Sequence, residues 1–458
     1  MKTAHRRKTN TRPAFDADAD IPGLVARKAA SRLLAAVIDA KTSLDGLTDH
    51  DNGHPQFRAL DMRDRALVRA ILTTALRFRG TIGALIAARL DRPLPANAHS
   101  LSHILHVAAA QILFLDVPDS AAVDLAVTQA KGDPRTVRFS GVVNAVLREI
   151  SRRKERALPA ALAQTNDTPD WFASRLAAAY GEEHAAAIRA AHRIEAPIDL
   201  TVKSQSAEWA EKLGGIVLPN GSVRLTSIVG PISSLPGFED GEWWVQDAAA
   251  SIPAQMFGDL SGKRVADLCA APGGKTAQLV NAGGRVTALE LSPNRAKRLA
   301  GNLARLNLEA EIVVSDLMEY APDELFDAVL LDAPCSSTGT VRRHPDVLWT
   351  KGPQDVAKLA GVQARMLAQA VKLLKPHGVL VFSNCSLDPE EGEALYSTFL
   401  ADHPEITPLP MTASELPFAG PYLTEHGAVR TTPAGMDMGS PEISGLDGFY
   451  AARMQRRH

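Results

Sequence analysis

Five short β-rich runs punctuate the C-terminal half of this chain: RVADL at 264–268, RVTAL at 285–289, EIVV at 311–314, FDAVLL at 326–331 and GVLVFS at 378–383. Stretches that read as helix separate them. Short strands with intervening helices imply βαβ units, so the pattern predicts a mostly parallel, doubly wound sheet over 236–458. In such an α/β, Rossmann-like domain ligands lie beyond the carboxyl ends of the strands. The polar and Gly-rich segments that follow those ends are where chemistry is expected.

The front of the chain has a different period. Leu67, Ile71, Ala75 and Phe78 step by helical intervals, as do Leu105, Ala108, Ile112 and Leu115, and Val143, Val146, Leu147 and Ile150 form a third stripe. Residues 21–160 are therefore expected to be an all-α domain. Residues 1–20 mix basic, Pro and Asp-Ala residues without apolar periodicity and read as a flexible basic tail. Between the two, 161–235 predicts a small α+β linker domain, with a helix at 171–181 and a strand-like piece at 223–228. Its trailing EWWVQDAAAS is either core or an entry wall to the next domain.

Charge separates the two ends. Residues 1–160 hold 25 Lys or Arg against 16 Asp or Glu, a net of +9, whereas 161–458 hold 25 against 36, a net of −11. A basic module joined to an acidic one suits a polyanion docking on the first while the reaction occurs on the second. The basic N-terminus is not followed by an apolar stretch, and no run approaches the length of a membrane span, so a soluble, cytoplasmic protein without a membrane partner is expected.

The three cysteines, Cys269, Cys335 and Cys385, all fall in Gly-, Pro- or Ser-rich segments of the sheet domain. Their number and spacing make neither a disulfide framework nor a zinc site, and no metal is expected. Cys269 lies in DLCAAPGGKT, where Pro272, Gly273 and Gly274 supply a tight turn that lets a ligand approach backbone. The segment fits neither the dinucleotide fingerprint nor a P-loop. Glu290 ends the next strand about twenty residues on, where an acid accepts the hydroxyls of a ribose, and Asp316 follows the third. Two acids and a glycine turn suit an adenosine ligand lacking phosphates, since carboxylates repel a pyrophosphate. The sulfonium cation S-adenosyl-L-methionine fits.

DRALVRAILTTALRF at 64–78, PDSAAVDLAVTQAK at 118–131 and FSGVVNAVLREI at 139–150 resemble the NusB family of RNA-binding helical domains. DLCAAPGGKT, ALELSPNRAKRL, LLDAPCSSTGTVRRHPDVLW, SNCSLDPEEGE and DGFYAARM occur in the order found in RNA cytosine-5 methyltransferases. With the NusB-like front, nearly the whole chain is similar to the RsmB (Fmu, Sun) family. The resemblance implies a cytosine-5 methyltransferase of small-subunit (16S) ribosomal RNA; a monomer is expected. It also implies a cofactor site of Cys269, Ala270, Ala271, Pro272, Gly273, Gly274, Lys275, Glu290, Asp316 and Asp332, with Glu290 where the family commonly has Asp. In the family the nucleophile lies in the later motif, usually Thr-Cys-Ser; here Asn384 replaces the threonine. The resemblance thus makes Cys385 the nucleophile, Cys335 a helper in proton removal and release, and Asp332 a partner of the cytosine edge.

The chemistry explains why such an enzyme needs cysteine. Carbon 5 of cytosine is a poor nucleophile until a thiolate adds to carbon 6 and turns the ring into an enamine. Spacing alone leaves the roles of the two cysteines interchangeable, since DNA cytosine-5 methyltransferases use a cysteine following proline in the earlier motif. A thiol near its ordinary pKa of ~8.5 is mostly protonated at neutral pH, so the nucleophile gains from a positive neighbour. Lys275 is the candidate, unless it holds its loop or the methionine carboxylate. Arg342, Arg343 and His344 follow the first cysteine motif and are expected to contact RNA phosphates. Two other readings remain: the same reaction on transfer RNA, or a non-catalytic RNA-binding assembly factor.

Overall fold

The chain divides into two units, one ending at Asn166 and one spanning Asp167–His458. The computed structural model describes residues 21–227 and 230–458. The tail expected at 1–20 lies outside the described residues, as does residue 228 of the expected strand-like piece.

The first unit is helical. Its longer helices are Leu24–Ile38, Met62–Arg77, Arg79–Ala87, His99–Phe114, Asp119–Lys131 and Ser140–Gln164. The stripes read from sequence point inward: Ile71, Ala75, Leu105, Ala108, Ile112, Val143, Val146, Leu147 and Ile150 are buried, while Leu67, Phe78 and Leu115 are half-buried. His99–Phe114 is buried on nearly every side, and its buried polar side chains find partners: His103 bonds Asp39, His106 the Ser102 carbonyl, and Gln111 accepts from Arg27. Asp61 starts Met62–Arg77 by accepting the Asp64 N–H at 2.7 Å. The last helix runs through residue 160 to Gln164, past the boundary expected there. Among the described residues no single helix is long and apolar enough to cross a membrane.

The second unit opens with a helical hairpin, Asp170–Tyr180 and Glu182–His192. A small antiparallel sheet follows, built from β1 (Asp199–Val202), β2 (Gly215–Val217), β3 (Val223–Leu225) and β4 (Trp243–Val245) in the order β2-β3-β1-β4. Its fourth strand comes from beyond residue 235, so the small sheet continues past the boundary expected at that position. Neighbouring strand residues face opposite ways. Trp243 accordingly packs in the small sheet's core with Leu200 and Trp209, while Trp244 turns to Ala271 and Leu299 of the larger sheet's layer.

The large sheet contains β5 (Arg264–Leu268), β6 (Arg285–Glu290), β7 (Glu311–Val314), β8 (Phe326–Asp332), β9 (Leu374–Asn384), β10 (Ile406–Pro408), β11 (Val429–Thr431) and β12 (Phe449–Arg456). The order is β10-β12-β9-β8-β5-β6-β7, with β11 also paired to β12. The five strands read from sequence form the parallel block β9-β8-β5-β6-β7. β12 extends the sheet antiparallel to β9, with Tyr450 opposite Asn384. The chain leaves β5 toward β6 and β7, then returns to β8 on the other side. That reversal opens a crevice beyond Leu268 and Asp332.

Candidate active site

Beyond β5 the backbone turns sharply. Cys269 has φ +69° and Gly273 φ +109°, after which the helix Gly274–Asn281 begins. Only glycine suits position 273: besides the left-handed backbone, a Cβ there would stand 2.6 Å from Leu299 Cδ1. The turn borders a cavity of about 350 Å³ lined among others by Trp244, Asp267, Pro272, Gly274, Lys275 and Asp332. Asp267 is buried in its wall. Its Oδ2 accepts from Thr276 Oγ1 at 2.6 Å, while Oδ1 has no hydrogen-bond partner. Burial raises this carboxyl to about 7, with Asp332 and Glu290 adding to the rise and Thr276 and Lys275 opposing it.

Cys269, Ala270, Ala271, Pro272, Gly273, Gly274, Lys275 and Asp332 all line this cavity. Glu290 and Asp316 stand apart from its lining. Glu290 is buried below the turn, accepting the N–H groups of Ala271 at 3.3 Å and Ser292 at 3.0 Å, with Arg295 at 3.4 Å. It thereby ties the turn at Cys269–Gly273 to the next strand's end. Asp316 is exposed and accepts the Met318 N–H at 2.9 Å. Burial, with help from Asp332 and Glu290, pushes the Cys269 thiol up to about 12, which keeps this sulfur protonated.

The other two cysteines meet. Asp332 on β8 faces Ser383 on β9 in register, and the chain beyond each strand end turns inward. Cys335 Sγ and Cys385 Sγ lie 3.4 Å apart although fifty positions separate them. Gly339 donates its N–H to the Cys385 carbonyl at 2.9 Å, locking one loop on the other. Asp332 sits beside them, accepting Ser383 Oγ at 2.9 Å and Lys275 Nζ at 2.8 Å. The Lys275 ammonium also lies 4.9 Å from the centroid of the Phe449 ring.

The two sulfurs differ electrostatically. The hydrogen bond from Cys335 holds Cys385 below the ordinary thiol range against burial and Asp332, with Ser337 and Lys275 contributing in the same direction. The same contact, followed by burial and the charge of Glu391, pushes Cys335 well above that range. Lys275 does act on Cys385, as its charge suggested, but it is the weakest of these influences and its ammonium is engaged by Asp332.

Two expectations change. Arg342 is buried and donates to the Ser444 carbonyl at 2.9 Å; burial lowers it to about 10. Arg343 bridges Asp247 at 2.6 Å and Asp447 at 3.0 Å. Both guanidiniums are therefore structural ties rather than phosphate ligands, because their partners approach from distant parts of the chain. Conversely, Glu391 and Gln363 were not singled out. Glu391 is fully buried and accepts the Ser336 N–H at 2.9 Å and Gln363 Nε2 at 2.8 Å. Nothing in SLDPEEGE distinguishes it from the half-exposed Glu390 beside it. Among the described residues no group of three or more His, Cys, Asp or Glu side chains is placed to hold a metal ion.

Residues 256–455 match the family described as 16S rRNA methyltransferase RsmB/F, and residues 24–152 match the NusB family. A protein of Xylella fastidiosa named ribosomal RNA small subunit methyltransferase B is 35% identical over 449 residues, covering 94% of this chain and 98% of that one. Among solved structures, PH0851 is similar with a TM-score of 0.72 at 21% identity, covering 95% of this chain and 99% of that one. NSun6 from Pyrococcus horikoshii, solved with SFG, is similar with a TM-score of 0.55 at 16% identity, covering 63% of this chain and 98% of that one. These two likenesses show the fold. The sequence relationship goes further, because it runs through the helical unit, the small sheet and the cysteine loops alike, and by it the chain belongs to the ribosomal RNA small subunit methyltransferase B (RsmB) family.

Proposed function

We propose that this chain methylates carbon 5 of a cytosine in 16S ribosomal RNA, with S-adenosylmethionine as donor and a transient bond from Cys385 to carbon 6. The observation that carries the reading is the 3.4 Å sulfur pair beside Asp332, where Ser337 and Lys275 also favour a thiolate on Cys385. Such a pair supplies a nucleophile and a neighbouring proton carrier at one point. The relatives named small subunit methyltransferase B support the choice of RNA.

The donor's fit rests on the cavity. The Pro272–Gly274 backbone lines it, and Asp267 offers a buried oxygen without a partner. Asp332 adds a second acid suited to a cation. When bound there, S-adenosylmethionine supplies an electrophilic methyl group. Cys385 Sγ adds to carbon 6, and the displaced electron pair moves toward N3, which takes a proton from water and returns it when the ring is restored, while Asp332 holds that edge of the base. Once Cys385 is a thioether, its thiolate no longer opposes ionisation of Cys335; only burial and Glu391 still do, and Cys335 can give its proton to solvent and act as base. It removes the carbon 5 proton after methylation; the released pair re-forms the ring double bond and expels Cys385 as thiolate.

RNA docking is assigned to the helical unit. Arg135, Arg148, Arg152 and Arg153 are exposed there and paired with Asp133, Asp124 and Glu149 at the surface. Exposed pairs of this kind contribute roughly 0–1 kcal/mol and exchange readily for phosphates. The test is incorporation of labelled methyl from S-adenosylmethionine into 16S ribosomal RNA, followed by bisulfite sequencing. A protected cytosine in 16S RNA is expected. Protection confined to transfer RNA would move the substrate, and no incorporation into any RNA would remove the reading.

A further inference from the structure

Behind the two sulfurs lies a closed polar cluster. Glu391 accepts the Ser336 N–H and Gln363 Nε2 on Oε1 and the Ser336 hydroxyl on Oε2, and Ser336 Oγ in turn lies 3.2 Å from Ser386 Oγ. Gln363 Nε2 also reaches the Pro334 carbonyl at 3.0 Å. Asn384 Nδ2 donates to the backbone carbonyl of Glu391 at 2.7 Å and to Gln363 Oε1 at 3.4 Å. Pro334 and Ser336 flank Cys335; Asn384 and Ser386 flank Cys385. The Ser336 N–H and the Gln363 amide can only donate, so Glu391 Oε1 accepts from both; the carboxyl is fully buried, which raises it above its ordinary range against these hydrogen bonds.

We propose that Glu391 is a positioning residue: its buried carboxylate clamps the loops of Cys335 and Cys385 together and reserves the thiolate for Cys385. The inference rests on the reading of these two cysteines as the working thiols. The charged groups around them are Glu391 on the Cys335 side, Asp332 and Lys275 beside Cys385, and Arg430, which pairs with Glu393 and donates to the Ser386 carbonyl. Apart from the Cys385 thiolate itself, Glu391 is the anion that acts on Cys335. Its charge opposes a thiolate there, while its hydrogen bonds keep the sulfurs in contact. The neighbouring Asn384 joins the same clamp through the Glu391 carbonyl, which accounts for an amide in that position.

Iodoacetamide labelling of the full chain, followed by peptide mapping between pH 6 and 9, reads this without RNA or donor. In the wild type Cys385 should label first and Cys335 only toward the upper end. In Glu391→Gln, which keeps the shape but removes the charge, Cys335 should label at a pH lower by about one unit, so the initial Cys385:Cys335 ratio falls about tenfold. The same variant should lose at least about tenfold in kcat while KM for S-adenosylmethionine stays within about twofold, since Glu391 does not line the donor cavity. An unchanged labelling order together with unchanged kcat would overturn the proposal. If Glu391→Gln does not fold, Glu391→Asp decides, because shortening the clamp should still lower kcat, and wild-type kcat in it would equally overturn the proposal. A wild type that labels in the expected order yet methylates no RNA would remove the functional reading and leave the clamp standing.

Discussion

Gly448 donates its N–H to the Gly339 carbonyl at 2.8 Å, and the two backbones touch so closely that a Cβ on Gly339 would stand 1.9 Å from the Gly448 oxygen and 2.8 Å from that of Cys385. This approach joins the first cysteine loop to the start of β12 and sets the depth at which Cys385 sits. Gly339→Ala must push backbone apart, and overpacking of this kind costs about 1–3 kcal/mol. The urea midpoint should fall accordingly, and methyl transfer should fall with it. Gly301, in the helix Pro293–Arg305, has nothing within 4 Å of a built Cβ. Gly301→Ala should instead raise stability by about 0.5–1 kcal/mol.

The sulfur pair predicts opposite failures for its two members. Cys385→Ala should abolish both methyl transfer and covalent capture of RNA. Cys335→Ala should form the bond but release it slowly, leaving a protein–RNA band that survives a denaturing gel. Bands in Cys385→Ala and none in Cys335→Ala would exchange the two roles.

Much of this site was legible before the fold was known, and the residues show why. RVADL and EIVV bound their strands to the residue because short apolar runs between helices have few other places to go. Both cysteine loops follow strand ends, so their chemistry was visible; their contact was not, because it depends on β8 and β9 being neighbours. β10 and β11 are three residues each, too short to carry a period. Arg342 and Arg343 read as a surface patch because Asp247 and Asp447, about a hundred positions away in either direction, carry no mark of partnership. Glu390 and Glu391 are chemically identical in sequence and differ only in which one the loop turns inward.

The helical unit should reveal itself through salt. Replacing Arg148, Arg152 and Arg153 together by Glu removes three candidate phosphate contacts without touching the donor cavity. RNA binding should weaken, and the slope of log affinity against log salt should flatten by up to about three. KM for RNA should rise and kcat at saturating RNA should stay near its original value. A salt slope equal to that of the wild type would place the docking face elsewhere.

Arg175, on the helix Asp170–Tyr180, braces the second cysteine loop from outside. It pairs with Asp388 through two nitrogens and with Glu390 through one at 2.6 Å, and Tyr180 Oη donates to the Leu387 carbonyl at 2.7 Å. Asp388 is almost completely buried, so removing its partner strands a carboxylate. Arg175→Ala should cost about 2–3 kcal/mol in urea unfolding, less than a fully buried pair because Arg175 itself is partly exposed. Arg175→Lys should recover only part of it, since one ammonium cannot reproduce the two-pronged contact.

Asp267 makes stability depend on pH in a direction opposite to that of a salt-bridged acid. Burial raises its carboxyl in the folded chain from an ordinary 3.8 to about 7. Between those values the folded state holds a proton that the unfolded state has released, so stability is full below about pH 4 and declines as pH rises toward 7. Above 7 both states are ionised and the contribution is flat. Asp267→Asn removes the titration while keeping a polar group against Thr276. Relative to the wild type, the variant should therefore gain stability from pH 5 to 7 at up to about 1.4 kcal/mol per pH unit, and no further above pH 8. Urea unfolding at each pH, without donor, measures this difference. Parallel curves for the two proteins would mean that Asp267 ionises normally in the fold, and the buried oxygen facing the donor cavity would then carry a full charge at pH 5.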